Sequence, residues 1–192
     1  MKLCATVALL LTLATSAGAA VIHDESIHGD LSSNAAVPSP LALAVGGNTV
    51  IGTVANSNAA PPAGDRDFVR FTVASGQMLI GLNLLGYSPS NLSFAAFNAG
   101  TTSFVPGPAT IDSFLSGIHI AGTDLGTNLM PRFVSNSVTT FALATPLLGP
   151  GDYCFMIQQT SNLVQSYSLE FVIEAPVPTE TRTWGAIKAL YR

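Results

Sequence analysis

The sequence is poor in cysteine, in charge and in long apolar runs, and each shortage removes a class of protein. Among 192 residues there are two cysteines. Cys4 lies in the N-terminal apolar stretch, so once that stretch is removed Cys154 has no partner, no intramolecular disulfide can form, and stability must come from packing. Charged residues make up only 9% of the chain, and the basic ones in the body and tail, Arg66, Arg70, Arg132, Arg182, Lys188 and Arg192, are scattered. With no basic patch to neutralise a run of phosphates, nucleic acid is not expected as a partner. Nor does any body segment sustain helical periodicity over three turns, which argues against a parallel sheet with crossover helices. Low charge does not mean disorder here. Disordered chains combine low hydrophobicity with high net charge, whereas 48% of these residues are apolar.

The one extended apolar run opens the chain. Met1-Lys2 gives a minimal positive n-region, Leu3 to Thr15 is apolar apart from its threonines, and Ser16-Ala17-Gly18-Ala19-Ala20 offers small residues to a signal peptidase. The run is shorter than the roughly 20 residues that cross a bilayer as a helix, so residues 1–20 read as a cleavable secretory signal with the cut after Ala19 or Ala20. Cys4 precedes most of the run, whereas a lipobox cysteine follows it. Loss of Lys2 leaves six Lys and Arg against eleven Asp and Glu, so the formal net charge moves from −4 to −5. The mature product is expected to be secreted, extracellular or on the cell surface, with the periplasm as the other compartment, and to contain no transmembrane span. Its roughly 170 residues form one domain of ordinary size, which buries about 70% of the surface it exposes when unfolded.

The body, residues 21–174, consists of short apolar runs separated by Gly, Pro, Asn and Ser clusters, the pattern of strands joined by turns. About eight runs are legible. Leu41 to Val45 and Thr49 to Val54 flank Gly46-Gly47-Asn48 and predict a hairpin. Asp67 to Val73 puts Val69, Phe71 and Val73 on one face and Arg70 and Thr72 on the other. Met78 to Leu85 is almost continuously apolar, as in a strand covered on both faces or at a sandwich centre. Ser93 to Phe97, Val138 to Ala144, Asp152 to Gln159 and Tyr167 to Glu174 complete the set. In the last, Tyr167, Leu169, Phe171 and Ile173 form the inner face. Gly100 to Asn136 reads as a long decorated loop. Together these predict an all-β fold, an antiparallel β-sandwich of jelly-roll type.

Two groups of side chains are candidates for binding. Glu25, Asp30, Asp65 and Asp67 are hard oxygen ligands in sandwich loops and suit a structural Ca²⁺. His23 and His28 are five apart and lack the four-residue spacing of the zinc helix motif, so zinc is not indicated. Tyr87, Tyr153, Gln158 and Gln159 supply the aromatic and amide groups with which jelly-roll sandwiches bind carbohydrate, which makes an extracellular glycan or matrix component the candidate partner. Catalytic signatures are missing. No Gly-x-Ser-x-Gly elbow is present, His119 sits between two isoleucines, and Cys154 alternates with core positions as a small buried hydrophobe does.

Several segments carry a family resemblance: Asp24-Glu25 with Gly29-Asp30-Leu31-Ser32, Gly47 to Val54, Asp65-Arg66-Asp67-Phe68-Val69-Arg70-Phe71-Thr72-Val73, Gly122-Thr123-Asp124-Leu125, and Gly151 to Gln159. In order and spacing these are similar to bacterial pre-peptidase C-terminal-like domains. The resemblance implies a β-sandwich that accompanies secreted enzymes or stands alone in exported proteins. In residues 175–192, Ala175-Pro176-Val177-Pro178-Thr179-Glu180 with Thr183-Trp184 resembles the start of a PEP-CTERM sorting signal. Such signals continue into an apolar helix and an arginine cluster. From Trp184 to Arg192 a helix would reach only about 14 Å at 1.5 Å per residue, so no span is expected there. Trp184, Ile187, Leu190 and Tyr191 share one helical face and suit a short docking peptide for sorting machinery or an interface. The expectation is a non-catalytic exported sandwich, structural, adhesive or part of a matrix, with a carbohydrate-binding module and an accessory domain of a secreted hydrolase system as the alternatives.

Overall fold

The computed structural model describes residues 19–56, 64–107 and 109–175. Residues 1–18, most of the expected signal, and the tail positions Trp184, Ile187, Leu190 and Tyr191 lie outside the described residues.

Alternation of side chains along each strand builds two sheets. The elements are β1 (Ala20–Asp24), α1 (Glu25–His28), β2 (Ser39–Pro40), β3 (Gly46–Ala55), β4 (Arg66–Val73), β5 (Met78–Ser88), β6 (Ser93–Ala99), β7 (Ser116–Ile120), α2 (Met130–Ser135), β8 (Gly151–Gln159) and β9 (Val164–Glu174). One sheet has the order β1-β3-β9-β5 and the other β2-β4-β8-β6-β7. The all-β sandwich expected from the pattern is present. Its main pairings are antiparallel, while the short N-terminal strands β1 and β2 run parallel to β3 and β4.

The inner faces meet in one core. Val69, Phe71 and Val73 of β4 and Tyr167, Leu169, Phe171 and Ile173 of β9 are buried there, as their alternation predicts. The rings of Phe71 and Phe155 each meet Phe171 edge-on at 5.6 Å, a preferred arrangement for aromatic pairs. Phe133 of α2 packs on Phe97 with centroids 4.8 Å apart and closes one side of the core. A second cluster, Phe68, Phe94, Ala96, Phe114 and Met156, lies on the opposite face of the five-stranded sheet. That sheet is therefore covered on both faces, and β6 is buried at every position except its last.

Four local expectations are corrected. Leu41 to Val45 is not a strand, and Gly46-Gly47-Asn48 is not a turn but the start of β3. The Asn48 side chain accepts from Ala44 N and donates to Ala44 O, both at 2.8 Å, and so shapes the bend before the strand. Val138 to Ala144 is also irregular, because Ser137 and Thr139 hydroxyls donate to Phe141 O at 2.6 and 2.8 Å and offer the backbone local partners in place of a ladder. In the supposed long loop, β7 and α2 are formed instead. Finally, the apolar β5 is an edge strand rather than a central one, with Met78 and Leu85 exposed.

Candidate cation site

Three of the four carboxylates singled out for calcium, Glu25, Asp30 and Asp67, gather where the two sheets meet, with Asp65 close enough to feel the charges of Glu25 and Asp30. Asp24 caps α1 by accepting from Ser26 N at 2.9 Å, which starts the helix and sets Glu25 in its first turn. Glu25 then reaches β3. One carboxylate oxygen accepts from Thr53 N at 2.7 Å and the other from Leu31 N at 3.2 Å. Gly29, at φ +88°, turns the chain out of the helix and brings Asp30 round to Glu25. The left-handed conformation suits glycine, which lacks a Cβ. Asp65 immediately precedes β4, and alternation points Asp67 inward from that strand.

Ligand oxygens of Glu25, Asp30 and Asp67 all lie within 4.8 Å of one another. Asp67 is 1% exposed and Asp65 4%. Tyr167 Oη donates to Asp67 Oδ2 at 2.6 Å, a buried tie between β9 of one sheet and β4 of the other. Ser33 Oγ donates to Asp65 Oδ1 at 3.0 Å. The second oxygen of each aspartate, Asp65 Oδ2 and Asp67 Oδ1, is buried without a hydrogen-bond partner. A buried polar atom left unpaired costs roughly 1–3 kcal/mol, and more when charged.

The electrostatics reflect this crowding. Burial, followed by the charge of Glu25, pushes the Asp67 carboxyl well above the usual carboxylate range. Burial likewise raises Asp65 to about 6, with Asp30 and Glu25 adding to the shift. Glu25 is raised too, by burial first and against the pull of the Leu31 and Thr53 amides. Four acids are held together, and the single ion pair among the described residues, Arg132 with Asp124, involves none of them. Arg66, between the two aspartates in sequence, sends its Nε to Gln158 Oε1 at 2.9 Å. The donor set is all oxygen, anionic and partly orphaned, which fits a hard divalent cation and Ca²⁺ in particular.

The other candidates do not converge. Tyr87 is buried on β5, with its hydroxyl 2.7 Å from Ser93 Oγ and 2.5 Å from Asn91 O. Its ring is part of the core and does not stand out as a sugar platform. Tyr153 packs on Phe71 and donates to Gly149 O at 3.1 Å. Gln159 is buried, and its Oε1 accepts from Thr160 N at 2.7 Å, whereas Gln158 holds Arg66. Tyr153 stands near the start of β8 and Gln158 and Gln159 at its end, and although Tyr87 and Gln159 both lie beside Ser93, they are buried, so the four form no common binding surface. Cys154 is buried, and burial pushes its thiol up to about 11. His119 lies on β7 with its ring edge-on to Phe94 at 6.0 Å. Sequence reasoning missed the ring of partners around the acids, Ser33, Thr53 and Tyr167. Tyr167 appeared in the sequence only as one more alternating core residue, a hundred positions from Asp67.

No family profile matches the chain, and no curated protein matches it. Among solved structures it is similar to the pre-peptidase C-terminal domain of a collagenase from Bacillus anthracis. The identity is 12%, 71% of this chain and 93% of that one are covered, and the TM-score is 0.39. Among the described residues no helix is long and apolar enough to cross a membrane.

Proposed function

We propose that the chain is an exported, non-catalytic β-sandwich serving as a structural, adhesive or matrix component at the bacterial cell exterior. In this reading, Ca²⁺ bound by Glu25, Asp30, Asp65 and Asp67 fastens its N-terminal segment to the sandwich. The carrying observation is Asp67 Oδ1, buried, unpaired and set among other carboxylates. A cation supplies the missing partner and offsets the mutual repulsion. The signal-like residues 1–20 support export. The unreactive setting of Cys154 and the packing of the His119 ring on Phe94 support a role without catalysis.

Thermal melts in chelator and in Ca²⁺ test the site. A ligand present at a hundred times its Kd stabilises by about 2.7 kcal/mol, which for a domain of this size raises Tm by roughly 5–10 °C. Identical melting in both conditions would remove the calcium reading. Export has a separate test. The intact mass of protein recovered outside the cytoplasm is expected to lack residues 1–19 or 1–20, and retention of Met1 would refute the signal.

A further inference from the structure

The residues that follow the second predicted cut site have a chemistry that neither the sandwich nor the carboxylate cluster uses. We infer that cleavage after Ala20 creates a copper site at the new N-terminus, in which the α-amine of Val21, the backbone nitrogens of Ile22 and His23, and His23 Nδ1 bind one Cu²⁺ in a square plane. This rests on the export reading, since only a processed chain has a free amine two residues before His23. Four nitrogens in a plane are the geometry that selects Cu²⁺, or Ni²⁺ in its place. A histidine in third position closes two five-membered rings and one six-membered ring with no further ligand. On binding, the two amide protons and the proton of the α-ammonium, a group with an ordinary pKa of about 8, pass to solvent.

The imidazole is already set for this role. His23 Nε2 lies 3.1 Å from Gly29 O. A carbonyl oxygen only accepts, so Nε2 carries a proton, and in the neutral ring Nδ1 keeps its lone pair. A ligating histidine ordinarily donates its other N–H to such a carbonyl, which fixes the tautomer and ring orientation. His28, whose ring lies 5.4 Å from that of His23, is occupied through Nδ1 with the Asp24 backbone at 3.1 and 3.2 Å. Access is open as well. β1 is an edge strand, Ala20 is exposed, and Val21 is 55% exposed. The β1–β3 register shifts between Val21 and His23, so the pairing is already irregular at the residues the metal would take. Successive chelating nitrogens must lie on one side of the chain, with ψ near zero, whereas strand residues have ψ near +115°. Metal binding therefore lifts Val21 and Ile22 from β3 while the Gly29 carbonyl holds the imidazole.

The experiment uses exported protein with its N-terminus read by mass, alongside mature chains released from a fusion so as to begin at Val21 or at Ala20. Each is titrated with Cu²⁺ and followed by visible absorption and electron paramagnetic resonance. The chain beginning at Val21 is expected to bind one equivalent with a four-nitrogen signature that excess Ca²⁺ leaves unchanged. The chain beginning at Ala20, with histidine in fourth place, and His23→Ala in the Val21 chain are both expected to lose that signature. The same signature in the Ala20 chain, its absence from the Val21 chain, or displacement of the copper by Ca²⁺ would overturn the site. An exported N-terminus other than Val21 overturns it in the natural product while leaving export intact, and an uncleaved Met1 refutes the export reading itself.

Discussion

At the scale of single residues, Asp67 concentrates the tension in this molecule. Its folded-state pKa is raised by burial and by neighbouring acids, so its ionisation opposes folding. The same sign holds for Asp65, raised to about 6, and for Glu25. Stability from these groups is fully present below their unfolded values, about 4. It is lost as pH rises through the folded values, because over that range the native state binds more protons than the unfolded chain. In chelator, Tm is therefore expected to fall as pH is raised from about 4 through 6 and beyond, and Ca²⁺ is expected to cancel most of the fall. A chelated protein that gains stability over this range would contradict the assignment. Asp67→Asn sharpens the test. It removes the buried charge and keeps an oxygen to accept from Tyr167, so at neutral pH the chelated variant should melt at or above the wild type. It should also lose most of the calcium-induced shift. Loss of stability in both conditions would mean that Asp67 acts through packing rather than through a cation.

At the scale of elements, the site depends on how closely β3 approaches β9 and β4. A Cβ on Gly52 would stand 2.6 Å from Tyr167 Oη and 3.1 Å from Asp67 Oδ2. Glycine to alanine at a compatible position usually stabilises by about 0.4–1 kcal/mol. Here the added methyl must displace Tyr167, and overpacking of that kind costs about 1–3 kcal/mol. Gly52→Ala is expected to lower Tm and to weaken calcium binding together, with calorimetry reading the second effect. Normal affinity in a destabilised variant would separate Tyr167 from the site. The same close packing explains what was legible in the sequence. Strands β4 and β9 alternate cleanly because each presents one face to the core, and the acids stood out because carboxylates are rare in so uncharged a chain. The strand β7 was hidden by Ser116, Gly117 and His119. The run from Val138 to Ala144 misled because its apolar residues follow hydroxyls that satisfy the backbone locally. No pattern within one strand announces Tyr167 as the partner of Asp67, because that contact exists only after both sheets have closed.

At the scale of the whole molecule, the N-terminal segment is the part with least core to hold it. From Ala20 to Ser33 only Leu31 is buried among the apolar residues, and Ile22 packs on the core in part. Its other attachments to the rest of the fold include the parallel β1–β3 pairing, the Phe68 amide bond to Ser32 O at 2.9 Å, the Glu25 bond to Thr53, and the Ser33 bond to Asp65. Two of those four attachments end on acids that repel one another when no cation lies between them. Local opening follows the weakest packing, while strands in the core open only with global unfolding. Chelation at neutral pH is therefore expected to release this segment first. Hydrogen exchange reads it directly, since the amides of Leu31 and Thr53 both donate to Glu25. These two should exchange faster in chelator than in Ca²⁺, while the amides of β8 and the middle of β9 hold their rates. Uniform acceleration across both sheets would instead make the cation a support of the entire sandwich, and unchanged exchange at Leu31 and Thr53 would leave the carboxylate cluster without a role in fastening the N-terminus.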